Sequence, residues 1–502
     1  MKHATMASAV CLVGALMIAG CGRTAPSDTT VLHPVDGDPT ISISIMVMTG
    51  AQNDPAGREG LANLVGALVG EGATKTNSYE QILEKLYPLA AGYDASVDKE
   101  ATTITGRVHR DNLDAYYPLL VDAIVRPAFT EEDFARVKSD IRNSIDRQLR
   151  YANDEELGKA AFYDFVYAGT PYGHLNAGTL ASLDAITLDD VRAFHAKWYT
   201  RENVVIGVGG GYDDALVERL QKDLAALPEG KPQQPAPPVV APINGHEVLL
   251  VEKECDATAI SFGFPIPVLR GSDDFFALAL FNSWFGEHRN SSSHLYQVIR
   301  EARGMNYGDY SYIEIFPNGG RRQMPPTGNV RRQQLFEVWI RPVPHAQRHF
   351  ALRAAMRELT KVVESGMTQE QFDATKKFLV KYALHFAETT GEQLGYAMDG
   401  RFYGIESEYI DLFRSKVEAL TLGQVNAAIR KHLQVANVKI AMVTSGAAAF
   451  RDALVAGAPS PITYESPKPD AVLAEDKEIE IFPLAITADK VRIIPVDDMF
   501  VK

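Results

Sequence analysis

Apolar and small polar residues alternate in ISISIMVM (Ile41–Met48), the period-two signature of a strand. Next comes GREGLANLVGALVGEGATK (57–75), in which Leu61, Leu64, Val65, Leu68 and Val69 recur at helical spacing. That helix is unusual. It carries almost no polar side chain, and Gly60, Gly66, Gly70 and Gly72 weaken it. SYEQILEKLYPLA continues as helix, ATTITGRV (Ala101–Val108) as strand and NVVIGVGG (203–210) as a buried strand. Asp111, Thr130 and Thr187 stand as helix N-caps, each with an acid three residues on, at Asp114, Asp133 and Asp190.

Residues 228–242, PEGKPQQPAPPVVAP, hold six prolines and read as a surface linker. After it the grammar repeats: strands HEVLLVEKE, ATAISFGFP, NYGDYSYIEIF, QLFEVWIRP and NVKIAMVTS, with helices between. The repetition reaches individual residues. FTEEDFARVKSDI from Phe129 matches MTQEQFDATKKFL from Met367, EELG (Glu155–Gly158) matches EQLG (Glu392–Gly395), and ITLDDVRAF from Ile186 matches LTLGQVNAA from Leu420. Near-constant offsets in one order indicate an internal duplication whose period is too long for a solenoid. The predicted class is α+β: two homologous halves, each a mostly antiparallel sheet backed by helices, joined by the Pro-rich linker. The expected boundaries are a signal peptide (1–20), a tether (21–38), a first half (39–227), the linker (228–242), a second half (243–446) and an extension (447–502). Two alternating stretches in EDKEIEIFPLAITADKVRIIPV would add edge strands or reach a partner.

Composition narrows the classes. With 502 residues, 46% of them hydrophobic, the chain can bury two sizeable cores. A net charge of −14 argues against a nucleic-acid partner and against electrostatic adhesion to anionic lipid. The N-terminus, with a basic start and an apolar run from Ala7 to Ala19, reads as a secretory signal. IAGC (Ile18–Cys21) resembles a bacterial lipobox, which implies acylation of Cys21 and a membrane anchor. Cys11 is then removed and Cys255 has no partner for a disulfide. Gly22, where an aspartate would mark inner-membrane retention, favours the outer membrane.

The helix at 57–75 sits where the insulinase, pitrilysin and mitochondrial processing peptidase family places its inverted zinc motif, H-x-x-E-H. YGHLNAGTLASLDAITLDDVRAFHAKWYTRENVVIGVGGGYD (Tyr172–Asp213) and LYQVIREARGMNYG (Leu295–Gly308) resemble two further runs of that family. The resemblance spans about residues 31–446. It implies two imidazoles and a glutamate base on one helical face. Here those positions read Asn63, Gly66 and Ala67, and the third ligand falls on Asp140. No zinc is expected in this chain, and the small residues would mark a polar site vacated without repacking. Arg300 and Tyr307 survive, with Gly304 as a helix C-cap between them. The family uses such a pair to bind a peptide carbonyl and stabilise its oxyanion.

Other signals are weaker. His345 and His349 in HAQRH have zinc-compatible spacing but no glutamate base between them, and read as a solvated helix start. His288 and His294 flank RNSSS and read as exposed; GVGGG (207–211) reads as a tight turn. The basic insertion 319–334 is either a solvated hairpin loop or a contact for an acidic partner surface.

The resemblance implies the non-catalytic subunit of a two-chain zinc peptidase, and the N-terminal signal implies the bacterial envelope, lipid-anchored on the periplasmic side. A homologous H-x-x-E-H chain would supply the zinc, and unfolded peptides would be the substrates. Two alternatives stand beside it: an envelope peptide-binding lipoprotein without protease activity, and an active zinc peptidase with displaced ligands such as His345 and His349.

Overall fold

The computed structural model describes residues 29–317, 326–406 and 408–502. The expected signal segment, Cys21 and the expected tether up to residue 28 lie outside the described residues, as does 318–325 of the basic insertion.

Among the described residues, ten of the eleven strands form one pattern laid down twice. The first sheet holds β1 (Thr30–Pro34), β2 (Thr40–Val47), β3 (Gly92–Val97), β4 (Thr102–His109) and β5 (Val204–Gly210). Its order is β1-β5-β2-β4-β3, parallel only between β1 and β5. The second holds β6 (His246–Glu252), β7 (Ala257–Ile266), β8 (Asp309–Tyr312), β9 (Gln334–Pro344), β10 (Val438–Thr444) and β11 (Val491–Pro495). Its order is β11-β6-β10-β7-β9-β8. Without β11, each strand has its counterpart at the same place, β6 parallel to β10 as β1 is to β5. The α+β class with two homologous halves holds.

The duplication corrects one expected boundary. Residues 30–34 are not tether: they are β1, the counterpart of β6, and VL recurs in both, at Val31–Leu32 and Val248–Leu249. Two further expectations change. NYGDYSYIEIF yields only Asp309–Tyr312 as strand. Asp111 caps no helix; it lies in a single 3₁₀ turn whose cap is the His109 ring, accepting the Asp111 N–H. Thr130 and Thr187 do cap, their hydroxyls accepting the N–H groups of Asp133 and Asp190.

Four helices frame the functional region: α1 (Leu61–Glu71), α2 (Glu131–Asn143), α3 (Asp154–Tyr167) and α4 (Thr390–Tyr403). The two that carry the EELG and EQLG repeats cross over. α3, from the first half, lies on β7 and β10, and α4, from the second, lies on β1, β2 and β5. Small residues admit them. A Cβ on Gly207 of β5 would come within 2.6 Å of Met398 Sδ on α4. The GVGG run is therefore strand thinned for a helix, not a tight turn.

Each half has its own apolar core. The first also takes in Leu249, Val251, Ala441 and Val443 from the second sheet, so the halves share an apolar contact beneath α3. The Pro-rich stretch 228–242 runs without helix or strand.

The extension folds back on its own chain. EDKEIEIF is not a strand: Asp470–Ile479 is a helix, held by Arg303 on Asp476 and Glu475 at 2.8 Å each. VRIIP does become an edge strand, β11. Residues 496–501 then cross to the first half, where the Arg150 guanidinium donates to the carbonyls of Val496 (3.0 Å) and Asp497 (2.7 Å). Leu180 and Ala181 donate their N–H groups to the carbonyls of Phe500 and Val501. Among the described residues no helix is long and apolar enough to cross a membrane.

Candidate functional site

α1 begins at Gly60, whose φ of 97° suits glycine, and both the Gly60 and Ala62 N–H groups donate to the Asp54 carboxylate at 2.7 Å. Burial pushes Asp54 up to about 7 against those hydrogen bonds. Of the degenerate zinc positions, Gly66 is buried, Asn63 and Ala67 are half-buried, and Asp140 is exposed on α2.

The glycines of α1 have a packing reason. The helix lies on β3. A Cβ on Gly66 would overlap Val97 Cγ2, and one on Gly70 would stand 3.3 Å from the Ala95 nitrogen. The expectation of a vacated, unrepacked site is thus corrected: Val97 fills the space where a side chain at 66 would go. Zinc does not fit these residues, because glycine and alanine offer no ligand atom and β3 leaves no room at 66. Among the described residues, no three His, Cys, Asp or Glu side chains are grouped to hold a metal ion.

Arg300 and Tyr307 do not meet. Arg300 pairs with its neighbour Glu301 and lies over the Tyr296 ring, 4.7 Å from its centroid. Tyr307 is 78% exposed. Gly304 does cap the turn between them, its N–H donating to the Arg300 carbonyl at 2.7 Å with φ 69°. Two residues past Tyr307, Asp309 is fully buried; burial raises it well above the carboxylate range, partly offset by Asn306, Arg300 and Arg341.

The histidines read as solvated are built into the fold. His345 is hydrogen-bonded at both ring nitrogens, to Thr258 Oγ1 (2.8 Å) and the Cys255 carbonyl (2.7 Å). His349 is buried against Phe450, and burial pushes it down to about 4. His288 packs among Tyr310, Tyr312 and Phe316, while His294 stacks on Trp284 and bonds Glu358 at 2.7 Å.

Two cavities lie between the halves. One cavity of about 570 Å³ is walled by the end of β3, by α3 and by second-half residues including Ile315 and Arg331. A second, of about 740 Å³, lies between the open face of the first sheet and α4. Pro326 and Thr327 line both, as does Ser96. β3 ends the first sheet, so one edge of it has no strand partner among the described residues, and its residues alternate between exposed and half-buried.

Buried charges close the seam. Asp98 and Glu100, next to Lys99 in the β3–β4 hairpin, take Arg331 and Arg332 from the second half. These two arginines are spent within the chain rather than on an acidic partner. Tyr163 on α3 donates to Glu337 on β9 at 2.8 Å, and burial pushes Glu337 up to about 8. Sequence reasoning missed this set. Its signal was present: three consecutive charges, Asp98-Lys99-Glu100, directly before a strand that must be buried.

A family model described as "Insulinase (Peptidase family M16)" matches residues 30–170, and one described as "Peptidase M16 inactive domain" matches residues 185–379. The chain is 25% identical over 282 residues to an uncharacterized zinc protease of Rickettsia bellii, covering 56% of this chain and 66% of that protein, just under two-thirds of it. It is 22% identical over 395 residues to the non-peptidase homolog YmxG of Helicobacter pylori, covering 77% of this chain and 84% of that protein. Among solved structures, the peptidase M16 inactive domain from Pseudomonas fluorescens superposes with a TM-score of 0.72 at 22% identity, over 83% of this chain and 95% of that one. A Helicobacter pylori protease gives 0.69 at 16% identity, over 83% and 96%.

Proposed function

Because the chain belongs to the insulinase family of peptidases, family M16, as a member of its inactive type, we propose that it is the non-catalytic, substrate-binding subunit of a two-chain zinc peptidase. The observation that carries this reading is the close approach of Val97 to Gly66, which leaves no room for a base at the position where the family's motif places one. A homologous H-x-x-E-H chain supplies the metal and the water-activating base. This chain supplies one side of an enclosed chamber.

The geometry supports a peptide as the occupant. The free edge of β3 borders both cavities, and an extended peptide can pair with such an edge through backbone hydrogen bonds alone. Unfolded segments satisfy that demand; folded proteins do not. In this reading Tyr307, solvent-exposed before β8, binds a substrate carbonyl held by the companion chain, and Arg300 joins it on releasing Glu301. In the same reading, lipidated Cys21 tethers the complex to the periplasmic face of the outer membrane.

A second reading, an envelope peptide-binding lipoprotein without a protease partner, is favoured by one fact: this chain by itself walls a cavity of about 570 Å³. The variant with displaced zinc ligands loses its candidates, since both His345 nitrogens are engaged. A tagged pull-down from the native envelope separates the readings. The subunit reading expects a co-purifying H-x-x-E-H homologue that holds the zinc and whose cleavage of unfolded peptides falls with Arg300→Ala or Tyr307→Phe here. A homologue that cleaves equally well alone overturns it.

A further inference from the structure

The charges lining the 570 Å³ cavity balance with two exceptions. Asp98 is taken by Arg331, and Glu156 by Lys159 at 2.7 Å. Lys99 and Asp164 remain. The Lys99 ammonium, 4% exposed, donates to the His174 carbonyl and forms no ion pair within 4.0 Å among the described residues. The Asp164 carboxylate, on α3, accepts no hydrogen bond and also forms no ion pair among the described residues. Both line the cavity, one from the hairpin after β3, the other from the opposing helix. They interact through space but do not touch.

A charge withdrawn from water without a partner is costly, and Lys99 is buried while Asp164 is half-buried. Burial pushes Lys99 down to about 7, and burial raises Asp164 above the ordinary carboxylate range despite Lys99, Arg492 and Lys439 nearby. Tyr163, Tyr167 and Tyr172 line the same cavity. The volume falls within the range of about 300–1,000 Å³ usual for small-molecule sites. A ligand that satisfies all of this carries an ammonium at one end, a carboxylate at the other and an apolar side chain between.

We propose that this cavity captures a short zwitterionic peptide, its N-terminal ammonium on Asp164, its C-terminal carboxylate on Lys99 and its apolar side chain against the tyrosines. The site deepens the peptide-handling role proposed above and rests on it. It would give the chain a place for the small fragments that a peptidase chamber generates, distinct from the β3 edge that takes an extended chain.

Calorimetric titration of the full chain with the tripeptide Ala-Phe-Ala, its N-acetyl form and its C-terminal amide tests the assignment. The free tripeptide binds, and each blocked form binds about 10- to 100-fold more weakly, the loss expected for a charged hydrogen bond. Asp164→Asn abolishes the acetylation penalty alone, and Lys99→Met the amidation penalty alone. Lys99→Arg, which keeps the charge if Lys99→Met fails to fold, retains the amidation penalty. Equal binding of free and blocked tripeptides overturns the proposal. If an unfolded peptide of about twenty residues binds while Ala-Phe-Ala does not, the end-capture site falls and the substrate-binding reading stands. If neither binds, both fall.

Discussion

Arg331, carried by the second half, forks onto the carboxylate of Asp98 in the first, its Nε donating to Oδ2 at 2.7 Å. Both side chains are buried. Burial alone would raise Asp98, but the charge and hydrogen bonds of Arg331 hold it below the usual range. Removing one partner strands the other, so Arg331→Met is expected to cost about 3–5 kcal/mol in urea unfolding. The paired replacement Arg331→Met with Asp98→Leu is expected to recover most of that loss. A double variant as unstable as the single one would show that the pair matters for more than charge compensation.

Glu337 gives the seam a pH dependence. Its carboxyl titrates at about 8 in the folded chain because burial outweighs the hydrogen bonds from Tyr163 and Trp339; the ordinary value is 4.5. Between those values the unfolded chain has lost this proton and the folded chain still holds it. Stability from this group therefore falls as pH rises from about 4.5 to about 8, then levels. Glu337→Gln removes the slope. Thermal unfolding should show the variant matching the parent near pH 5 and exceeding it near pH 9.

Residues 496–502 act as a clasp from β11 to the first half. Val496, Met499 and Phe500 are buried in the first core, and Arg150 holds two carbonyls of the segment. Burying three such side chains contributes about 4 kcal/mol or more. Deleting 496–502 is expected to lower the melting temperature. Because the π-helical turn Ser144–Ala152 carries both Arg150 and the cavity-lining Ile145 and Leu149, hydrogen exchange there should quicken as well. Unchanged exchange in that turn would contradict a coupling between clasp and cavity.

Gly66→Ala separates helix propensity from packing. In an exposed helix this change stabilises by about 1 kcal/mol. Here the new Cβ overlaps Val97 Cγ2, and a β-branched side chain in a packed strand yields poorly. The substitution is expected to destabilise by about 1–3 kcal/mol. On a Val97→Ala background its sign should reverse. Chemical denaturation of the four variants reads the cycle directly.

Much of this fold was legible in the sequence because hydrophobic period and capping chemistry are local. The long alternating runs became β2, β4, β6, β7, β9 and β10, and Thr130 and Thr187 became caps. The ordered repeats identified the duplication, although not that the repeated helices exchange sheets, which depends on contacts far apart in sequence. β1 was lost to a boundary drawn from composition: five residues, three half-buried and two exposed, after a polar stretch carry little period, and only the VL shared with β6 marked them. EDKEIEIF alternates like a strand, yet its acids are called to Arg303 and Arg357 on one side, which a helix satisfies. The site divided in the same way. That Gly66 and Ala67 offer no ligand atom was readable from residue identity, whereas the burial of Lys99, His288 and His349 came only from packing.

The central claim is that this chain cannot break a peptide bond by itself. Its most direct test is zinc content and cleavage of an unfolded peptide, measured on the purified full chain and again after adding the H-x-x-E-H companion. The account predicts zinc well below one equivalent and no turnover alone, with chelator-sensitive cleavage once the companion is present. Stoichiometric zinc bound to this chain, with chelator-sensitive cleavage in the absence of any companion, would contradict it.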